Sequence, residues 1–240
     1  MWEDISHVIA SEQYGFQDFD ELYDYLEEIY SVHNTNAVDE NRYLCDKVIF
    51  YLFYLGFQHN EIELIKVSDV KERDISVYDD KGELQYKANN VDPRIISACR
   101  QLSQLESYKL EVDYEGVARY RDQTVHSYQN SLIRFPVMSP GNHVWSYSTL
   151  SRIVALANRL SHNLPLHSKF CNKKISTKKI WFNGIYDRVY KTETELGRSL
   201  NYLDHDDAII LRRLFRKSPD FQKLKHSYRS YLEWKQHFYD

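Results

Sequence analysis

Apolar residues recur at three- and four-residue steps through much of the chain, which predicts a mainly helical protein. In the first such stretch, 18–30, the opposite helix face is acidic. A second stretch runs from Asp39 to Leu55 and stops at Gly56, the residue type favoured just beyond a helix C-terminus. Further helices are predicted at 61–66, 93–105, 148–161, 177–189, 206–215 and 218–234.

Alternation of apolar and polar residues marks one short region, 74–88, and predicts a β-hairpin there. Its turn ends in Gly82, where a positive backbone φ is wanted. Residues 112–133 are polar and rich in tyrosine, and their pattern predicts no clear element. The fold class predicted from these elements is mainly α with a small antiparallel β-sheet (α+β).

A polar stretch at 31–39 has no apolar periodicity and is the best candidate for a domain boundary. It separates an acidic N-terminal helical segment, 1–35, from a larger domain, 36–240. The acidic helix is expected to be a peripheral packing element.

Charge is distributed unevenly, although the net charge of the 240 residues is only −4. Residues 1–80 hold 5 Lys and Arg against 19 Asp and Glu, while residues 81–240 hold 26 against 16. Such a split predicts an acidic segment and a basic surface in one chain. Two solvated faces without a partner would give the same split, so charge alone does not identify a nucleic-acid ligand. The basic residues are densest at Lys169, Lys173, Lys174, Lys178 and Lys179.

Several classes of protein are not supported by the sequence. The first residues lack the basic and apolar regions of a signal peptide, and no apolar run approaches the ~20 residues of a membrane span. Three widely spaced cysteines fit buried thiols in a reducing compartment. The ten histidines show no metal-ligand spacing with cysteines or carboxylates. We therefore expect a cytoplasmic protein that uses no membrane, metal or cofactor.

The stretch 50–70 has the most specific order of residues in the chain. An apolar helix leads into Leu55-Gly56-Phe57, one polar residue follows, and then come Glu61 and Asp69. This order resembles the opening of the catalytic domain of tyrosine recombinases, the phage integrase family. The hairpin and helix that come next in the chain also follow the family's order. The resemblance implies a recombinase-like fold over residues 36–240.

Members of that family cleave DNA with a tyrosine while two arginines stabilise the charged transition state, a task suited to the guanidinium fork. A hairpin lysine protonates the leaving oxygen, and a His-x-x-Arg motif supplies the second arginine. The resemblance places the first arginine at Gln58, the histidine at Lys178 and the second arginine at Trp181. For the hairpin lysine the resemblance offers two candidates, Lys81 and Lys87. For the tyrosine nucleophile it offers three, Tyr228, Tyr231 and Tyr239.

Loss of both arginines removes the two main charge partners of the transition state. Removing a single preorganised donor costs about 2.7–4 kcal/mol, so we expect no catalysis, whereas phosphate binding can persist. The expected function is that of a DNA-binding regulator, and the combination resembles the integrase-like repressors of SPbeta-type prophages. The residues expected to contact duplex DNA are Gln58, Lys87, Arg152, Lys173, Lys174, Lys178, Lys179, Arg212 and Arg213.

Two other functions are compatible with the sequence. The chain would be an active recombinase if Arg188 or Arg198 were the true second arginine. It would be a protein-interaction module if the acidic helix at 18–30 were a docking surface for a regulatory partner. A homo-oligomer is compatible with each of these functions.

Overall fold

A computed structural model of the chain describes residues 15–31, 37–105, 107–114, 117–124, 130–134, 147–216 and 220–239. These residues are mainly helical and include two small antiparallel sheets of two strands each. The α+β class predicted from the sequence is therefore confirmed, while the second of the two sheets was not predicted.

The elements follow one another in a simple order along the chain. The helices are α1 (Phe19–Ser31), α2 (Ala37–Tyr54), α3 (His59–Ile62), α4 (Pro93–Ser103), α5 (Tyr147–His162), α6 (Thr177–Leu196), α7 (His205–Phe215) and α8 (Phe221–Tyr239). The strands are β1 (Ile75–Tyr78), β2 (Leu84–Ala88), β3 (Ser107–Tyr114) and β4 (Val117–Thr124). The short helix predicted at 61–66 begins earlier and ends sooner than expected.

Helix α2 ends as its sequence predicts. Gly56 has φ +93, and its amide donates to the Phe53 carbonyl at 2.9 Å. The Phe57 amide donates to the Leu52 carbonyl at 3.1 Å. These two bonds form the Schellman arrangement, which needs a left-handed residue after the helix. The sharp stop leaves the Gly56 carbonyl free to meet side chains from the C-terminal half.

The acidic helix α1 shares its core with the rest of the chain. Phe16, Leu22 and Tyr25 are fully buried in one hydrophobic cluster that extends through α2, α4 and α5. The Trp234 indole donates to the Phe16 carbonyl at 3.1 Å, which ties this segment to α8. The apolar face of α1 is buried against the rest of the chain and Asp20 and Asp24 on its other face are exposed, so α1 is a packing element at the surface whose core is shared with the larger domain. The boundary predicted at 31–39 does not separate two cores among the described residues, and residues 32–36 lie outside them.

A second hydrophobic cluster joins α6, α7 and α8, and Trp181 packs against both clusters. Helices α2 and α6 approach very closely at Gly184. A Cβ atom at Gly184 would lie 1.7 Å from the Tyr54 carbonyl oxygen, so only glycine fits there. This contact fixes the start of α6 against the end of α2, where the positions assigned by the recombinase resemblance lie.

Candidate nucleic-acid interface

The end of α2 is the meeting point of several predicted site positions, and we call it the Gly56 junction. The Gly56 carbonyl accepts a hydrogen bond from Trp181 Nε1 at 3.0 Å and another from Arg216 Nη1 at 2.7 Å. Gln58 lies two residues further on, with its side chain exposed. The two positions that the resemblance gives to the catalytic arginines therefore lie at the same place in the fold. Lys178 lies one helical turn before Trp181, on the same side of α6.

Arg216 is a cation at the Gly56 junction that was not among the predicted site residues. Its guanidinium binds both carboxylate oxygens of Glu61, at 2.7 and 2.5 Å, and its Cζ lies 3.9 Å from the centre of the Tyr86 ring. Arg216 ends α7 with φ +51, a left-handed conformation that favours glycine. The ion pair, the aromatic contact and the bond to Gly56 hold it there. No local sequence signal identifies such a residue, because its partners lie about 150 residues away along the chain.

The two arginines left open as alternatives have different surroundings. Arg188 Nη1 donates to the Tyr54 carbonyl at 2.9 Å, and its Nη2 lies beside Gly56 at the junction. Arg198 instead forms two 2.7 Å hydrogen bonds with the buried Asp207 carboxylate and holds the pKa of that carboxyl below its ordinary value. Of the two, Arg188 is thus the one at the junction.

The hairpin lysines do not face the junction. Tyr86 does, because its hydroxyl donates to the Leu55 carbonyl at 2.7 Å. Successive residues of a strand point to opposite faces, so Lys87 lies on the other side of β2. There Lys87 pairs with Asp74 at 2.8 Å and lowers the pKa of that carboxyl. Lys81 is exposed at the tip of the turn.

The three tyrosines considered as nucleophiles take part in packing. Tyr228 is buried and donates to the Leu200 carbonyl, and Tyr231 is buried and donates to Glu193 Oε2 at 2.7 Å. The Tyr239 ring stacks on the Tyr190 ring, with 3.8 Å between centroids. Burial raises the pKa of Tyr228 and the pKa of Tyr239 to about 12 each. Attack on a phosphodiester needs the hydroxyl to lose its proton, which burial makes harder.

These tyrosines predict a loss of stability at alkaline pH. A raised pKa in the folded state means that Tyr228 contributes its stability fully below pH 10 and loses it as the pH rises toward about 12. We expect the free energy of unfolding, measured with urea, to fall across that window. The Tyr228→Phe variant should show a smaller fall, whereas Tyr78→Phe, at an exposed position, should behave like the wild type. Equal falls in both variants would contradict this assignment.

A long stretch of the chain carries basic residues and no acidic ones. Between Asp122 and Asp187 lie eight Lys and Arg and not one Asp or Glu, and we call residues 123–186 the acid-free stretch. Its described exposed basic side chains belong to α5, to the loop after it and to the first turn of α6. They are Arg152, Arg159, Lys169, Lys174 and Lys178.

The acid-free stretch also includes the predicted start of α6. Ser176 caps this helix, because its hydroxyl accepts from the Lys179 amide at 3.2 Å. Amide groups at a helix N-terminus and nearby ammonium groups both attract phosphate. Lys178 is exposed on that first turn, and Lys179 is half-buried.

The remaining predicted contacts fall into two groups. Lys173 is a buried residue of the core: its ammonium pairs with Glu21 at 2.9 Å and lies 4.4 Å from the centre of the Phe16 ring. Burial lowers the pKa of Lys173. In this position Lys173 holds α1 in place and does not present its charge to a phosphate. On α7, Arg213 is exposed and Arg212 is half-buried.

A surface cleft lies elsewhere, between α1, α4, α6 and α8, and has a volume of about 430 Å³. Its lining includes five carboxylates and only two cations, Arg94 and Lys191. The excess of carboxylates over cations in this cleft repels phosphate. The candidate nucleic-acid interface is therefore the exposed basic surface of the acid-free stretch.

Comparison of the chain with protein-family models, with curated proteins and with solved structures finds no match. Among the residues that the structure describes, no group of histidines, cysteines and carboxylates is placed to hold a metal ion. No described helix combines the length and the apolar character needed to cross a membrane.

Proposed function

We propose that the chain is a catalytically inactive protein of the tyrosine-recombinase fold that binds duplex DNA in the cytoplasm and acts as a phage-type transcriptional repressor. The observation that carries the proposal is the acid-free stretch with its exposed cations. Duplex DNA presents closely spaced phosphates, and binding to them is driven by lysines and arginines that release condensed counterions.

The Gly56 junction supports the inactive character of the proposed protein. Gln58 and Trp181 bring no positive charge to the positions where the family has its arginines. The guanidinium of Arg216 is already neutralised by Glu61, with side chains only 13% and 9% exposed. Tyr228 and Tyr231 have their hydroxyls bonded within the core, and Tyr239 is half-buried against Tyr190. We infer that a fold with these features keeps surfaces for phosphate but lacks the charged pair of arginines that the family uses at positions 58 and 181 to stabilise a pentavalent phosphorus.

The acidic helix gives little support to a protein-interaction module. The apolar face of α1 is buried within the chain. Its acidic side chains also bind the body of the protein, since Glu21 pairs with Lys173 and Glu27 pairs with Lys47. The helix is therefore occupied as a packing and ion-pairing element.

Removing a lysine from the acid-free stretch is expected to change how DNA binding depends on salt. In a titration of labelled duplex DNA at several salt concentrations, Lys178→Ala should reduce the log–log salt slope by about 1, as expected for one lost phosphate contact. The double variant Lys174→Glu/Lys178→Glu should bind at least about tenfold more weakly, because it also repels phosphate.

The matched control for these variants is Lys225→Ala, an exposed lysine on α8 outside the acid-free stretch. It should leave the slope unchanged. Absence of any duplex binding by the wild type at low salt would overturn the proposed function. Tighter binding to phage operator DNA than to random duplex would assign the repressor role.

One observation keeps an active recombinase as the second candidate. Arg188 and Arg216 bring two guanidinium groups to the Gly56 junction, close to the positions at which the resemblance expects arginines. A nicked suicide substrate separates the two functions. We expect no covalent protein–DNA adduct; an adduct that disappears in Tyr228→Phe or Tyr231→Phe would replace the proposed function with recombination.

A further inference from the structure

The loop between α5 and α6 closes on itself through a dense set of hydrogen bonds. We call residues 163–172 the Leu166 loop. At its neck the buried Ser161 hydroxyl donates to the Phe170 carbonyl at 2.7 Å, and the Ser161 carbonyl accepts from the Asn172 amide at 3.1 Å. Cys171 Sγ contacts the Leu164 carbonyl at 3.4 Å. Since Leu164 and Phe170 are buried as well, the loop is anchored from both ends.

The tip of this loop presents an apolar residue to solvent. The Ser168 amide donates to the Pro165 carbonyl at 2.9 Å, which defines a β-turn with Leu166 as its first central residue. Leu166 is 92% exposed, more than any other large apolar side chain of the described residues. Exposure of a leucine costs hydrophobic free energy, and the hydrogen-bonded turn holds this side chain on the surface.

The surroundings of the tip are basic. Lys169 and Lys174 are exposed in or directly after the Leu166 loop, and Arg159 is exposed on the last turn of α5. The loop lies in the middle of the acid-free stretch, with more than forty residues to Asp122 on one side and about twenty to Asp187 on the other. A protruding apolar side chain thus has exposed cations close to it along the chain, while the acidic helix α1 packs against Phe170 and Lys173 at the base of the same loop.

We propose that Leu166 is a wedge that enters the minor groove of duplex DNA and partly unstacks one base step, so that the bound duplex is bent. This inference rests on the proposed function and adds its mode of recognition. Proteins that bend DNA through the minor groove insert leucine, proline or similar apolar residues between bases while cations hold the flanking phosphates. Pro165 and Leu166 at the tip of this hydrogen-bonded loop, with the exposed Lys169 and Lys174 near them in the chain, supply these parts. Such a wedge prefers flexible pyrimidine–purine steps.

The test compares Leu166→Ala with Leu203→Ala, the latter at a leucine that is 68% exposed in the turn before α7, next to Asp204. Both sites are on the surface, so both variants should fold. Duplex DNA carrying a dye at each end reports bending by energy transfer, and 2-aminopurine in the duplex reports unstacking. We expect Leu166→Ala to bind about tenfold more weakly, since a buried leucine side chain is worth that or more. It should also lose the bend and the 2-aminopurine signal, while Leu203→Ala behaves like the wild type.

The outcomes separate this inference from the function on which it rests. If the wild type binds and Leu166→Ala has the same affinity, bend and unstacking signal, the wedge is refuted and the DNA-binding function stands. If the wild type binds no duplex at low salt, both are refuted. Vesicles of anionic phospholipid form a third arm: binding to them that depends on Leu166, with DNA binding unaffected by the substitution, would overturn the wedge in favour of a membrane contact.

Discussion

Gly184→Ala is expected to destabilise the protein by about 3 kcal/mol, although alanine favours a helix over glycine by about 1 kcal/mol. The added Cβ would lie 1.7 Å from the Tyr54 carbonyl oxygen and 2.6 Å from its carbon. These are backbone atoms of α2, so no side chain can rotate away. Helices α2 and α6 must separate, which also pulls Trp181 from the Gly56 carbonyl. Urea unfolding followed by circular dichroism measures the loss.

Gly82→Ala is the control for this substitution. A Cβ at Gly82 meets nothing within 4 Å, but φ is +81, so the variant carries backbone strain of about 1–2 kcal/mol without a clash. Gly184→Ala should therefore be the less stable of the two. A Gly184→Ala protein as stable as the wild type would show that α2 and α6 do not touch at this point.

Features that depend on neighbouring residues were predictable from the sequence. Gly56 ends α2, Pro93 is the first residue of α4 after the Asp92 cap, and Ser176 caps α6, as their sequence signals indicate. Each of these signals acts within one helical turn. The hairpin β1–β2 was likewise predictable from local signals, namely the alternation of apolar and polar residues and Gly82 in the turn.

The second hairpin has a local signal in the sequence, although it was not predicted. Residues 108–114 alternate Tyr-Lys-Leu-Glu-Val-Asp-Tyr, the pattern of a strand, and they pair with 117–123 in the β3–β4 register. The tyrosine-rich character of the region as a whole obscured this period of two. Because the two strands are adjacent in sequence, their pairing needs no long-range information.

Other features have no local signal at all. Lys173 belongs to the most basic run of the chain, yet its partner Glu21 lies 152 positions earlier and draws it into the core. The sequence gives no reason to choose Lys173 over Lys174 for burial. Likewise Gln58 and Trp181 were linked only through the family resemblance, and their approach depends on how closely α2 and α6 pack at Gly184.

Arg216→Met is expected to destabilise the protein by about 3–5 kcal/mol, which is the cost of leaving a buried carboxylate without its counter-charge. Glu61 is 9% exposed and receives two hydrogen bonds from Arg216. Adding Glu61→Gln removes that orphan charge, so the double variant should be more stable than Arg216→Met alone. The coupling free energy from the complete cycle should be about 1–3 kcal/mol. The control is Arg229→Met, whose side chain is 80% exposed and pairs with Glu233; it should lose no more than about 1 kcal/mol.

Glycine and alanine at position 216 separate the ion pair from the backbone strain. Both remove the bonds to Glu61 and Gly56, but alanine keeps the cost of φ +51 and glycine does not. Arg216→Gly should therefore be about 1 kcal/mol more stable than Arg216→Ala, and both should be less stable than the wild type. If Arg216→Gly were as stable as the wild type, the ion pair would merely offset the backbone strain at the end of α7. If Arg216→Gly is less stable than the wild type, the interactions of Arg216 stabilise the Gly56 junction by more than its left-handed conformation costs.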